Sequence, residues 1–260
     1  MIGLLLRKTL YDLWDNMFKI IIVNLGFAIL AAIPVFLPRL AAKLVDSQAL
    51  EIALIAFGIL LCSVYLSAAA HSLKSISDYG SFGFGDFLRH FKTAWPAGLV
   101  MGFLVFFLFL VVTIVIPFYL SAESPVGLIL GVIVFWTTIF ALLSFQFYFT
   151  VCARLGTNLK KAFRKCILIA LDNSGFSLFL LLHNIAGLIL SVLLALMFPG
   201  PAGILLYLDE ALRLRLLKYD WLEANPGANR RKIPWDSLLI DEREKTGTRS
   251  LKNFIFPWKY

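Results

Sequence analysis

Six polar side chains stand within long apolar stretches of the sequence, where a polar group is costly and marks a candidate site. At 1.5 Å per helical residue, the four uncharged ones fall roughly 10–13 Å deep in the cytoplasmic half of the membrane, and the two carboxylates could approach this layer from the sixth span. Such a layer could bind a small polar solute, or it could hydrogen-bond the helices to each other. For the two carboxylates a third explanation is an ion pair with Arg213 on their own helix. The six residues are Asn24, Gln146, His183, Asn184, Asp209 and Glu210.

Known catalytic patterns do not account for these residues. The segment GFGD at 83–86 matches the GxGD pattern of intramembrane aspartyl proteases, but those enzymes need a second aspartate that shares a proton with the first. No Tyr-Asp pair stands in an apolar stretch to partner Asp86, so we interpret Asp86 as the N-cap of a helix.

Metal and cofactor chemistry have no motif either. The three histidines are far apart, and Cys62, Cys152 and Cys166 form no CxxC pair. The sequence contains no HExxH, P-loop, GxSxG or dinucleotide fingerprint. We therefore predict no enzyme activity, no catalytic residue, no metal and no cofactor.

The apolar stretches themselves predict an all-α, polytopic transmembrane bundle of about six spans. Sixty per cent of the residues are hydrophobic and 15% are charged, whereas soluble domains are roughly 25% charged. Five stretches approach or exceed the roughly 20 residues that cross a bilayer core. The sixth contains Asp209 and Glu210 and could be a short span, a re-entrant helix or an interfacial helix. The stretches are about 17–37, 49–70, 96–120, 125–152, 175–198 and 201–217.

The basic residues predict the orientation of these spans. The net charge is +8, and with six spans every Lys and Arg except Arg39 and Lys43 falls on one side. The positive-inside rule then places both termini in the cytoplasm. Because the positive charge is explained in this way, we predict no nucleic-acid binding.

Three parts of the chain share one order: an amphipathic elbow helix, a corner and a hairpin of two spans. We place these units at about 4–70, 86–152 and 158–217, within a membrane domain of 1–224 that precedes a cytoplasmic tail of 225–260. In the first elbow, Leu6, Leu10 and Leu13 share an apolar face, which suits a helix lying in the membrane interface.

The corners carry a recurring set of residues. Asp-Asn precedes the first and fifth spans and is expected to accept hydrogen bonds from the first N–H groups of each span. In the second unit, Pro96 takes this place as the opening residue of a span, and Trp14 and Trp95 are expected to anchor the corners at the interface. The corner residues are Trp14, Asp15, Asn16, Trp95, Pro96, Asp172 and Asn173.

Two further features concern contacts. Gly98 with Gly102, and Gly127 with Gly131, put small residues on one face of a span, for packing within the chain or for a homodimer.

The tail carries Trp235 and Trp258, each after a proline. These tryptophans could dock on the chain's own cytoplasmic face, on lipid headgroups or on a protein partner.

With these features in place, the chain resembles the YesL-like family of bacterial membrane proteins, a domain of unknown function. The resemblance covers about 10–218. It rests on Leu13, Trp14 and Asp15 before a span with Asn24 and Pro34, on DFLRHFK at 86–92 and on the segment 199–217. It implies a bacterial inner-membrane protein with a role near carbohydrate uptake.

The leading functional hypothesis is a non-enzymatic accessory protein that contacts lipid and binds a membrane partner, such as a transporter permease, through its elbows and tail. The alternative is a small-solute permease or channel that uses the polar layer.

Overall fold

The computed structural model describes residues 1–122, 124–156, 158–230 and 232–249, and this part of the chain contains no strand. Residues Val111–Val115 form a π-helical turn between the fourth and fifth helices. The helices are α1 (Ile2–Asp15), α2 (Met17–Ala41), α3 (Gln48–Ser77), α4 (Phe84–Leu110), α5 (Ile116–Ser121), α6 (Pro125–Phe145), α7 (Tyr148–Leu155), α8 (Leu159–Asp172), α9 (Ser174–Leu193), α10 (Gly200–Ala224), α11 (Trp235–Leu238) and α12 (Ile240–Thr246). The predicted all-α architecture is confirmed.

Five helical stretches within the described residues are long and apolar enough to cross a membrane. The sixth predicted span corresponds to α10, which is not among them because Asp209, Glu210, Arg213 and Arg215 interrupt its apolar sequence. The chain is therefore a multi-pass membrane protein by length and composition. The five stretches are Met17–Ala41, Gln48–Ser77, Phe84–Ser121, Pro125–Leu155 and Ser174–Leu193.

Helix α10 is the central helix of the bundle. Residues 200–212 are all buried except Ile204, and α10 packs against α1, α2, α3, α7 and α9. A helix enclosed by protein need not match lipid on any face, so it can carry charged groups if they find partners. Its polarity is therefore a consequence of its position inside the bundle.

The glycine pairs lie at helix contacts within the chain. Gly98 and Gly102 face α3, where a Cβ on Gly98 would collide with the backbone of Val64. Gly127 and Gly131 face α5. Close approach of backbones is what small residues permit in membrane bundles, so all four glycines have a role in packing one protomer.

Two elbow corners are built in the same way, but not as the sequence analysis predicts. The side-chain Nδ2 of Asn16 donates to Asp12 O at 3.0 Å, and Nδ2 of Asn173 donates to Ile169 O at 3.1 Å. Each asparagine thus caps the last turn of its elbow helix, and neither caps the following span. The last carbonyls of a helix have no intrahelical partner, and the amide group supplies the missing donor.

The second unit has no corner. Helix α4 continues through Trp95 and Pro96, so the prediction that Pro96 opens a span is wrong. Proline removes one backbone hydrogen bond from a helix interior, but α4 packs along α3 over much of its length, and Ser67 Oγ on α3 donates to Ala94 O at 2.9 Å. The elbow and the span are fused into one helix there.

The first elbow helix has an exposed apolar side and a buried side that is partly polar. Leu6 and Leu10 of the predicted apolar face are exposed, as expected for side chains that meet lipid. The other side of α1 is buried, and it carries Lys8 and Thr9 as well as Leu5. This buried side lies against α10 and brings polar groups into the bundle.

Candidate functional site

Asn24 holds the turn that joins α9 to α10. Its Nδ2 donates to Met197 O at 3.0 Å and to Pro199 O at 2.8 Å, and its Oδ1 accepts from Ala202 N at 2.9 Å. Gly200 has a φ of 63°, and a Cβ there would overlap the Asn24 amide. The amide is therefore fully used within the chain.

This contact also fixes how far the α9–α10 hairpin reaches. Asn24 is the eighth residue of α2, so the turn lies about 10 Å along α2 from Met17. At the other end of the hairpin, Lys218 on α10 contacts the α8–α9 corner. The tip of the hairpin is thus level with the first third of α2, and most of α2 extends beyond it.

The remaining polar residues of the predicted layer separate into distinct places. Asn184 Nδ2 donates to Gln146 Oε1 at 3.2 Å, and Gln146 Nε2 donates to Ser177 O at 2.9 Å, which joins α6 to α9. His183 stacks on Tyr207, with ring centroids 3.9 Å apart. The structure therefore brings Gln146 and Asn184 together, whereas Asn24, Asp209 and Glu210 each bond elsewhere.

Asp209 is paired with Arg154 at the end of α7. Arg154 Nε lies 2.8 Å from Asp209 Oδ1, while its other nitrogens donate to Asp78 at 3.0 Å and to Ser77 Oγ at 2.8 Å. Asp209 is buried, so an arginine that satisfies it with parallel bonds is the expected partner. This cluster ties α10 to α3 and α7.

Glu210 is paired with the first elbow helix. Thr9 Oγ1 donates to Glu210 Oε2, and Lys8 Nζ lies 3.5 Å from Glu210 Oε1. Lys8 also forms an ion pair with Asp12 on its own helix. The buried carboxylate thus receives its compensating charge from α1, which is why the polar side of α1 faces inward.

Arg213 does not pair with Asp209 or Glu210, so the intrahelical explanation is wrong. Its guanidinium bonds to Ser77 O, lies 3.4 Å from Asp78 Oδ1 and lies 2.6 Å from Glu242 Oε1 on α12. The two carboxylates point to other helices, and Arg213 instead attaches the tail to α10.

The described part of the tail docks on the chain itself. Tyr79 Oη donates to Glu242 Oε2 at 2.8 Å, and burial raises the pKa of this phenol, so it stays a donor at neutral pH. Arg249 binds Asp15 through two hydrogen bonds of 2.7 Å each. The tail is therefore joined to the ends of α1 and α3 and to the middle of α10.

Trp235 takes part in the same docking. The Arg215 guanidinium lies 3.9 Å from the ring centroid of Phe176 and 5.4 Å from that of Trp235. Of the three surfaces considered for Trp235, the structure shows contact with the chain itself, through Arg215. Trp258 lies outside the described residues, so its predicted role stays a prediction.

The α8–α9 corner binds α10 through charge. Lys218 Nζ lies 2.6 Å from Asp172 Oδ2 and 2.9 Å from Asn173 Oδ1, and Tyr219 Oη donates to Asp172 at 3.0 Å. Partial burial opposes the charged form of Asp172, but the Lys218 ammonium and the Tyr219 hydroxyl outweigh it and lower the pKa of this carboxyl.

A polar pocket of about 230 Å³ lies between α1, the end of α3 and the tail. Its charged groups are largely matched in pairs, Lys8 with Asp12 and Arg249 with Asp15. Lys245 also lines it, with its ammonium 5.8 Å from the ring centroid of Tyr79. Such a balanced lining selects neither anions nor cations strongly.

Two of the remaining sequence predictions concern metal ligands and the GFGD segment. No group of three or more His, Cys, Asp or Glu side chains could hold a metal ion in the described part of the chain. The prediction that Asp86 is an N-cap is wrong, because the N-cap of α4 is Gly83. Asp86 is the third residue of the helix, and its Oδ2 accepts a hydrogen bond from Gly83 N at 3.1 Å.

The partners of the buried carboxylates were not predicted. Lys8 and Arg154 lie outside the predicted apolar spans, where basic residues are ordinarily counted as topology signals, and Arg213 was assigned to a pair within its own helix. For Lys8 a signal existed, because it shares a helical face with the buried Leu4, Leu5 and Tyr11. For Arg154 and Arg213 the sequence offers no such local signal.

Comparisons of the chain with protein-family models, with curated proteins and with solved structures find no match. The resemblance to YesL-like proteins stays a prediction.

Proposed function

We propose that the chain is a non-enzymatic accessory protein of the membrane that binds another membrane protein through its cytoplasmic face. The observation that carries this proposal is the docking of the tail. Arg213 with Glu242 joins the tail to the middle of α10, and Asp15 with Arg249 joins it to the end of the first elbow helix. A tail built into this face gives a partner one folded surface to bind.

The distribution of polar groups supports a binding role over a catalytic one. Asp209 and Glu210 are buried, and each has a cation from another helix as its partner. Groups held in such pairs are poorly placed to exchange protons or to meet a substrate. By contrast, Ile240 of the tail is half exposed on the outer side of α12, where an apolar side chain suits a protein interface.

The proposal includes an orientation. We infer that both chain ends lie in the cytoplasm and that the α9–α10 hairpin is re-entrant. The support is the Asn24 contact, which puts the tip of this hairpin about 10 Å along α2. A hairpin that enters and leaves on one side keeps the basic tail in the cytoplasm with four complete crossings instead of six.

An association with carbohydrate uptake in a bacterial inner membrane rests on the resemblance to YesL-like proteins alone. A transporter permease is accordingly the partner that we propose.

A solute permease remains the second candidate because of one observation. Between α6 and α9, Ser144 Oγ, Ser177 Oγ and Asn184 Oδ1 are buried without a hydrogen-bond partner. Unpaired polar atoms at this depth suit ordered water or a small polar solute. Replacing Asn184 by Leu should abolish function if this site is used for transport, and should leave partner binding intact.

Co-purification from native membranes in mild detergent tests the accessory role. Deleting the tail would also remove the partners of Arg213 and Asp15, so a surface substitution is the cleaner variant. We expect a membrane protein in near-equal amount with the intact chain and with Leu44→Glu, which changes an exposed residue between α2 and α3. We expect this co-purifying membrane protein to be lost with Ile240→Glu, which changes an exposed residue of the tail. Equal retention by both variants, or no partner with the intact chain, would contradict the proposal.

A further inference from the structure

A lateral groove separates α2 from α4 near the elbow end of the bundle. Both helices pack against α3, which supplies Tyr65 as the floor of the groove. The groove has a volume of about 660 Å³, within the range of roughly 300–1,000 Å³ that is common for ligand pockets. Ile22 and Ile29 form one wall and Leu88 belongs to the other, and all three are exposed.

Helix α2 packs closely on Tyr65 at the floor of the groove. Tyr65 Oη donates to Val23 O at 2.8 Å, so the floor has no unsatisfied polar group at this point. Gly26 lies over the same ring, and a side chain there would displace it. The surface inside the groove is therefore apolar, and its rim continues into the lipid-facing surface of α2.

The groove is polar at one end only. Lys19 lines that end, close to the α1–α2 corner, whereas Ile29 lies ten residues further, about 15 Å deeper along α2. Lys19 Nζ donates to Ser81 Oγ and lies 5.7 Å from the ring centroid of Phe82, and it forms no ion pair with another described residue. An ammonium has three N–H donors, so two are left for a ligand.

We propose that this groove seats one acyl chain of an anionic phospholipid, with the lipid phosphate at Lys19. The arrangement fits a lipid of the cytoplasmic leaflet, because a cation at the interface is followed by an apolar channel toward the membrane centre. An extended protein segment would have to bury its backbone groups against a surface with no hydrogen-bonding partners. An acyl chain has no such requirement.

The carboxylate of Asp86 does not cancel the attraction between Lys19 and a lipid phosphate. Asp86 stands near the rim, but its Oδ2 accepts from Gly83 N, and Arg89 lies 3.6 Å from its Oδ1. Lys19 is thus the uncompensated charge at the mouth.

Native mass spectrometry of the full chain, titrated with phosphatidylglycerol or phosphatidylcholine, tests the proposal. We expect one tightly held phosphatidylglycerol, bound about fivefold more tightly than phosphatidylcholine, which is the factor that one lysine supplies near an anionic headgroup. Lys19→Gln should abolish the preference, while Lys43→Gln at the far end of α2 should keep it.

Binding of the acyl chain in the apolar part of the groove is tested separately. Ile22→Trp fills the groove from its exposed wall and should weaken binding of both lipids about tenfold. Phe18→Trp changes an exposed residue one turn earlier and should bind as the intact chain does. Equal affinity of the intact chain for the two lipids, a preference that survives Lys19→Gln, or equal binding by the two tryptophan variants would overturn the proposal.

Discussion

Lys8 and Glu210 are 202 residues apart in the sequence, yet their side chains meet in the interior with 3.5 Å between Nζ and Oε1. Both side chains are almost fully buried. The first elbow helix is therefore attached to the central helix through a charge pair, with Thr9 as an additional donor. Stability of the bundle should depend on both members of the pair.

Replacing Lys8 by Met should destabilise the protein by about 3–5 kcal/mol, because Glu210 would be left as a buried charge without its cation. The double variant Lys8→Met, Glu210→Gln should recover much of this loss, since the fully buried side chain is then neutral and only the partly exposed Asp12 has lost its ion pair. Thermal unfolding in detergent measures these two variants and the single variant Glu210→Gln, with the exposed Lys92→Met as a control. If the losses of the two single variants simply add in the double variant, Lys8 and Glu210 are not coupled.

Replacing Asn24 by Leu should also lower the unfolding midpoint, because two carbonyls and one N–H of the α9–α10 turn lose their partner. Each unsatisfied buried group costs about 1–3 kcal/mol. Asn184→Leu is the matched comparison, since Asn184 makes one hydrogen bond through its amide. An equal effect of the two substitutions would argue against Asn24 as the anchor of the turn.

The α8–α9 corner should loosen in acid. The pKa of Asp172 is lowered in the folded protein, so its contribution is present above the ordinary carboxyl pKa of about 3.9 and is lost as the pH falls through the lowered value. The protection of the α8 amides against hydrogen exchange, relative to their intrinsic rate at each pH, should therefore fall below about pH 4 in the intact chain. Asp172→Asn should show fast exchange already at neutral pH. The exposed Asp241→Asn should behave as the intact chain; if Asp172→Asn does so too, the corner does not depend on this charge.

Cysteine labelling from outside sealed cells tests the re-entrant hairpin. In a Cys62→Ala background, an impermeant maleimide should label Leu44→Cys and should not label Met197→Cys or Gly227→Cys. Met197 lies in the α9–α10 turn beside Asn24, about 10 Å along α2 from the corner. Labelling of position 197 as strongly as position 44 would mean that α9 crosses the membrane completely.

The fold class could be predicted from the sequence because long apolar stretches leave few alternatives to helices in lipid. The elbows of the first and third units were also predictable, since Asp-Asn interrupts a helical pattern at Asn16 and Asn173. What the asparagines bond to was not predictable, because the same amide can serve the helix that ends or the helix that begins. The prediction from Pro96 was wrong in the second unit, because packing of α4 against α3 outweighs the preference of proline for the first turn of a helix.

The candidate site was less predictable because its pairs join distant segments. Asp209 and Glu210 were identified as unusual within an apolar stretch, but their partners Arg154 and Lys8 come from other helices. Depth counted along each helix assumes that every helix enters the membrane at the same level. The Asn24 contact shows that the α9–α10 hairpin does not follow this assumption.

The central claim is that the cytoplasmic face formed by the elbows and the tail binds a membrane protein. Photo-crosslinking in native membranes tests it most directly, with a photoreactive residue in place of Ile240 and, as a control, in place of Leu44. The account predicts one discrete protein adduct at position 240 and none at position 44. No protein adduct at position 240, or the same adducts at both positions, would contradict it.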